Sequence, residues 1–166
     1  MRRLILALST FVLLAIPLAG PAAADGDITT VNRTDMMAVL TQAGLTAVSD
    51  GTTDEAGPWI MGKTDKNIFL IVDFYQCEAG VTGPQRQCSQ FRYRVYWENN
   101  RNVDAKAVGA YNEKYVFGRG YVTSDGKYLY LDYAMNLDGG VTRDHLVKNL
   151  NYFLQVVDAF TAMVLP

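Results

Sequence analysis

Apolar positions recur along this chain with two different periods, and the points where the period changes mark out the elements. Met36, Met37, Val39 and Leu40 fall at helical spacing, with Asn32 or Thr34 placed to cap a helix that runs through Ala43. Gly44 then suits the left-handed position that ends it. Leu45 to Val48 reads as a short strand, Asp50 to Gly57 as a turn-rich acidic loop, and Trp59 to Lys63 as a second strand. Ile68 to Tyr75 is apolar on both faces except at Asp73, the pattern of a central strand. Phe91 to Trp97 alternates strictly, with Phe91, Tyr93, Val95 and Trp97 on one face and Arg92, Arg94, Tyr96 and Glu98 on the other.

The helical period returns from Asp104 to Tyr115. Two strand-like runs, Val116 to Thr123 and Lys127 to Met135, then flank Asp125-Gly126, a dipeptide that tolerates the positive φ values of a tight hairpin turn. Thr142 can cap a last helix to about Met163, with Asp144 in its first turn. Leu146, Leu150, Phe153, Val157, Phe160 and Val164 are spaced 4, 3, 4, 3 and 4 apart, a single apolar stripe. The order is α-β-β-β-β-α-β-β-α. Short turns between successive strands predict an α+β domain: one twisted, mostly antiparallel sheet with helices packed on one face. The strand order does not follow from the sequence.

The ends change the picture. Arg2 and Arg3 precede an apolar run from Leu4 to Ala19, and Ala22-Ala23-Ala24 supplies small residues for a signal peptidase. That run falls short of the roughly 20 residues that span a bilayer. Residues 1–24 therefore read as a signal peptide cleaved after Ala24, and the expected location is the periplasm or the medium, with no stable membrane anchor. Residues 25–32 read as a flexible N-terminal segment and 33–166 as the single folded domain. Of the 15 basic residues, 13 remain after cleavage against 17 acidic ones. An acidic chain without a Lys/Arg run gives no electrostatic ground for nucleic acid as a partner.

Cys77 and Cys88 are the only cysteines. An even pair in an oxidising compartment defaults to a disulfide, and Gly80, Gly83 and Pro84 let the intervening loop turn back. The spacing does not match a Cys-x-x-Cys redox or metal pair.

The chain resembles the YbjN family, bacterial proteins described as sensory transduction regulators. The resemblance rests on Asn112, Phe117-Gly118-Arg119-Gly120-Tyr121, the turn Asp125-Gly126, the strand Leu129-Tyr130-Leu131-Asp132, and Leu137-Asp138-Gly139-Gly140-Val141 before the closing helix. Cys77 and Cys88-Ser89-Gln90-Phe91 match exported members with a paired cysteine loop. Tyr111 stands where the family usually has Trp. The resemblance implies a fold like that of type III secretion chaperones and a protein-binding module, often dimeric, with no established reaction.

Catalytic chemistry finds little support in the residues. The sole histidine, His145, has no Gly-x-Ser-x-Gly elbow to serve, and Asp54-Glu55 and Asp73 sit in no acid-pair motif. Asp65, Asp132 and Asp138 do not form a calcium loop, and Gly139-Gly140 lacks the lysine of a phosphate loop. The expectation is a non-enzyme without cofactor or metal. One pattern goes further: Arg92, Arg94 and Tyr96 share a strand face, Tyr128 and Tyr130 share another, and Arg119 and Tyr121 alternate with glycines. Arg and Tyr concentrate in binding hot spots, so these seven residues are the candidate partner surface, for another protein or a second copy. The rival reading is a small-molecule pocket between sheet and helices, lined by Trp59, Trp97 and tyrosines.

Overall fold

The computed structural model describes residues 27–53 and 57–165; the expected export signal lies outside them. Its elements are α1 (Arg33–Gln42), β1 (Thr46–Thr53), β2 (Gly57–Lys63), β3 (Phe69–Cys77), β4 (Cys88–Glu98), α2 (Ala105–Lys114), β5 (Arg119–Val122), β6 (Tyr128–Asn136) and α3 (Arg143–Val164). All six strands form one antiparallel sheet in the order β1-β2-β3-β4-β6-β5. The α+β reading and its element order hold, and the sheet order adds the one crossover, through α2.

Each helix starts where the sequence supplies an oxygen for its unpaired amides. Asn32 and Asp35 form a reciprocal capping box on α1, Asp104 accepts from the Ala107 amide on α2, and Thr142 accepts from the His145 amide on α3. The stripe on α3 is buried from Leu146 to Val164. It packs on the sheet face that carries Val72, Phe74, Phe91, Tyr93, Val95, Leu129 and Leu131, with Met36, Val39 and Leu40 of α1 and Val108 and Tyr111 of α2 completing the core. Gly120 permits the closest approach. A Cβ there would lie 2.6 Å from the Phe160 ring and 2.9 Å from Val108.

Asn112 of α2 has a distinct task at the sheet edge. Its side-chain amide donates to the Gly120 carbonyl and accepts from the Gly120 amide, both at 2.9 Å. One side chain thus supplies the pairing that a further strand would give to β5, and it blunts an edge that would otherwise template association.

Four expectations need correction. The Asp50 to Gly57 loop is largely strand: β1 continues to Thr53 and pairs with β2 from Gly57, where the ladder overrides the turn-forming composition. Trp59 lies over Gly51, and Arg33 holds Asp50 at 2.7 Å. The strand expected from Val116 begins only at Arg119, after Gly118 takes a positive φ. The Asp125-Gly126 turn is not the two-residue type with both φ values positive, since only Gly126 has one, at 73°. The Asp125 carboxylate accepts from the Thr123 hydroxyl and the Lys127 amide and so builds a longer loop. Finally, residues 27–32 are tied down: Ile28 bridges Val141, Val31 bridges Cys88, and Val31 is buried.

The disulfide between Cys77 and Cys88 is formed, and the two residues face each other across β3 and β4. Such a closure stabilises a fold by about 2–3 kcal/mol. The loop it closes caps α1, through the Pro84 carbonyl to the Arg33 amide and Gln85 to Asn32 and Thr34.

Tyr111 is fully buried against Tyr115 and Phe160, yet its hydroxyl has no hydrogen-bond partner among the described residues. Burial pushes its pKa up to about 12. Tyr111→Phe removes an unpaid desolvation and is expected to stabilise the protein by about 1 kcal/mol in urea unfolding. A measured loss of stability would mean that the hydroxyl has a partner.

Candidate functional site: the open face of the sheet

Strand alternation sends every second residue away from the helices. The ladder then aligns these residues across strands: Arg94 with Asp132 and Arg119, Tyr96 with Tyr130 and Tyr121, Arg92 with Asp73, and Glu98 with Tyr128. All seven sequence-predicted residues, Arg92, Arg94, Tyr96, Arg119, Tyr121, Tyr128 and Tyr130, therefore come together on the face that no described helix covers.

The tyrosines form a wall. Tyr121 and Tyr130 stack at 5.2 Å with planes 9° apart, and Tyr96 stacks on Tyr130 at 5.7 Å. Tyr128 meets Tyr96 edge-on at 6.1 Å. Arg94 lies over Tyr130 at 5.6 Å and Arg119 over Tyr121 at 5.9 Å. The ring faces are largely taken up by one another, which leaves edges and hydroxyls to meet an incoming surface. Tyr96 is 45% exposed and Tyr75 37%.

Below this wall lies a carboxylate that the sequence reading left without a role. Asp73, in the middle of β3, is buried to 4% exposure. One of its oxygens accepts from Arg94 at 3.0 Å, and the other from both Nε and an Nη of Arg92 at 3.3 and 3.0 Å. Arg92 also reaches Asp132 at 3.5 Å and lies over the Tyr75 ring at 5.4 Å. Burial opposes the Arg92 charge, but Asp73, Tyr75 and Asp132 override it and raise its pKa. Burial likewise raises the Tyr75 and Tyr121 hydroxyls, helped by Asp73 and Asp132 respectively. For Asp132 burial outweighs the neighbouring guanidiniums, so its pKa is raised as well. The signal for Asp73 was present in the sequence, as the single charge in an otherwise apolar central strand.

The rival pocket does not assemble. Trp97 points inward and stacks on Phe160 at 5.3 Å, whereas Trp59 aligns with Asp73 on the opposite face. His145 is exposed in the first turn of α3, the helix whose stripe packs on the other face of the sheet. Among the described residues no group of three or more His, Cys, Asp and Glu could hold a metal ion. Nor is any described helix long and apolar enough to cross a membrane.

Residues 32–165 match the family model YbjN, described as "Putative bacterial sensory transduction regulator". The chain belongs to the YbjN family. Its fold is similar to that of the crystal structure of YbjN from E. coli, with a TM-score of 0.56 and 10% identity over 84% of this chain and 93% of that one. An uncharacterized protein from Methanothermobacter thermautotrophicus also aligns, with a TM-score of 0.49 and 9% identity over 81% of this chain and 99% of that one. No curated protein matches the chain. At these identities the solved YbjN structure establishes the fold alone. The open face of this YbjN domain has to be interpreted from its own residues.

Proposed function

We propose that this chain is an exported, non-enzymatic regulatory module that binds a protein partner through the open face of its sheet. The observation that carries the reading is the Tyr121–Tyr130–Tyr96 wall, framed by Arg94 and Arg119 on a face that no described helix covers. Tyr and Arg offer broad contact area with polar tips and lose little conformational freedom on binding when stacking already fixes their rotamers. The buried Asp73 supports this by pinning two guanidiniums, so the surface is organised before a partner arrives. A flat wall of ring edges suits a protein surface better than a small molecule, which needs a concave site. Export rests on the charged start, apolar run and Ala22-Ala23-Ala24 of the N-terminal segment. The regulatory and non-enzymatic reading rests on the family description and on the lack of a catalytic motif in the sequence.

The test is capture from cell-envelope extract by the immobilised chain, compared with the triple variant Tyr96→Ala, Tyr130→Ala, Arg119→Ala. A specific protein retained by the native chain and lost by the triple variant, with the fold intact by circular dichroism, is the expected result. Equal capture by both chains, or none by either, would refute the assignment.

A further inference from the structure

The open face extends beyond the tyrosine wall, and its charges do not balance. On the β2 and β3 side its outward positions are apolar: Trp59 and Met61 alternate with core residues of β2, and Phe69 and Ile71 with those of β3. Phe69 is 43% exposed. The ladder carries this strip directly into the wall, since Met61 aligns with Ile71, Ile71 with Arg94, Arg94 with Asp132 and Asp132 with Arg119. From β2 to β6 the same face holds four cations, Lys63, Arg92, Arg94 and Arg119, against three carboxylates, Asp73, Asp132 and Glu98.

The excess charge sits at two places. Asp73 closes on Arg92 and Arg94, Asp132 reaches Arg92, and Glu98 accepts from the Asn100 side chain. Lys63 and Arg119 pair with no carboxylate among the described residues; each lies instead over a ring, Lys63 over Phe69 at 5.5 Å and Arg119 over Tyr121 at 5.9 Å. A ring attracts a cation without using up its N–H donors, so both keep their hydrogen-bonding capacity for an incoming carboxylate. β2 and β5 stand four steps apart in the sheet, which sets the two cations about 20 Å from each other at the usual strand spacing. Between them lie the apolar strip and the tyrosine edges.

We propose that the occupant of this face is an acidic, half-apolar segment of a partner protein. Its carboxylates, at both ends, meet Lys63 and Arg119, and its apolar side chains between them meet Phe69, Ile71 and the tyrosine edges. The inference rests on the open face being a partner surface and adds which partner that surface selects. A segment of about 13 helical residues, or about six extended ones, covers the distance. Acidic residues outnumber basic ones in the chain as a whole, 17 to 15. An acidic segment is therefore disfavoured elsewhere and steered to this face, which fixes its orientation.

Selection on the immobilised native chain from a displayed random library of about 15-residue peptides tests this. The selected peptides are expected to carry Asp or Glu on both sides of an apolar centre. A resynthesised one is expected to bind about tenfold more weakly once its acids are changed to amides. Lys63→Glu with Arg119→Glu is expected to reverse the preference toward peptides flanked by Lys or Arg, and Lys63→Gln with Arg119→Gln to abolish it, with the melting temperature retained. Selected peptides without acidic bias that still need Tyr96 and Tyr130 would overturn this inference and leave the wall a protein-binding surface. Selection of nothing above an unrelated control protein would overturn both. Preference for phosphatidylglycerol vesicles over the selected peptides would overturn it in favour of a lipid surface.

Discussion

Asp73→Ala is expected to destabilise the protein by about 3 kcal/mol, or on the order of 10 °C in melting temperature for a domain of this size. The side chain of Asp73 is almost wholly buried and receives three hydrogen bonds from Arg92 and Arg94. Its removal leaves two guanidiniums, each three-quarters covered, with their main counter-charge gone. Breaking such a pair on one side costs more than the pair itself contributes, because the remaining charge is still desolvated. The figure sits at the lower end of the usual range since both arginines retain some contact with water. Asp132→Asn on the same face is the control. Burial already raises the Asp132 pKa, so the folded protein disfavours that charge relative to a free carboxyl, and losing it costs little. Thermal melts of the two variants at neutral pH provide the comparison. Equal losses at both positions would show that the network has no privileged centre.

Phe160→Ala is expected to cost about 3–5 kcal/mol, the largest effect of any single core change considered. Phe160 is the point where three elements meet. It stacks on Trp97 of β4, meets Tyr111 of α2 edge-on at 4.8 Å, and rests on Gly120 of β5. Gly120→Ala alone overpacks the same spot, by about 1–3 kcal/mol. The two changes together should cost less than the total of the single effects, because the cavity left by the ring accommodates the added methyl. A double-mutant cycle in urea reads this directly. Strict additivity would mean that β5 shifts away from α3 instead of pressing against the ring.

Much of this fold was written in local patterns, and the exceptions are informative. The α3 stripe and the alternation of β4 were legible because one period runs unbroken for many residues, so burial on one side follows. The seven residues of the open sheet face could be grouped for the same reason, since alternation assigns a face before any pairing is known. What escaped was whatever depends on neighbours remote in sequence. Asp50–Thr53 looks like a turn in isolation and becomes strand only because Gly57–Lys63 pairs with it. Asp73 looks like a stray charge until Arg92 and Arg94, 19 and 21 residues further along, close on it. Asn112 falls within the helical stretch from Asp104 to Tyr115, yet its amide completes the edge of β5, eight residues further along.

The central claim is that helices shield one side of the sheet and leave the tyrosine-rich side accessible. Brief tyrosine nitration of the native protein, located by mass spectrometry, tests it most directly. Tyr75, Tyr96 and Tyr128, each more than a third exposed, should be modified quickly, while Tyr93 and Tyr111, wholly enclosed, should be spared until the protein unfolds. Modification of Tyr93 or Tyr111 at the rate of Tyr96, or protection of all three outward tyrosines in the isolated chain, would contradict it.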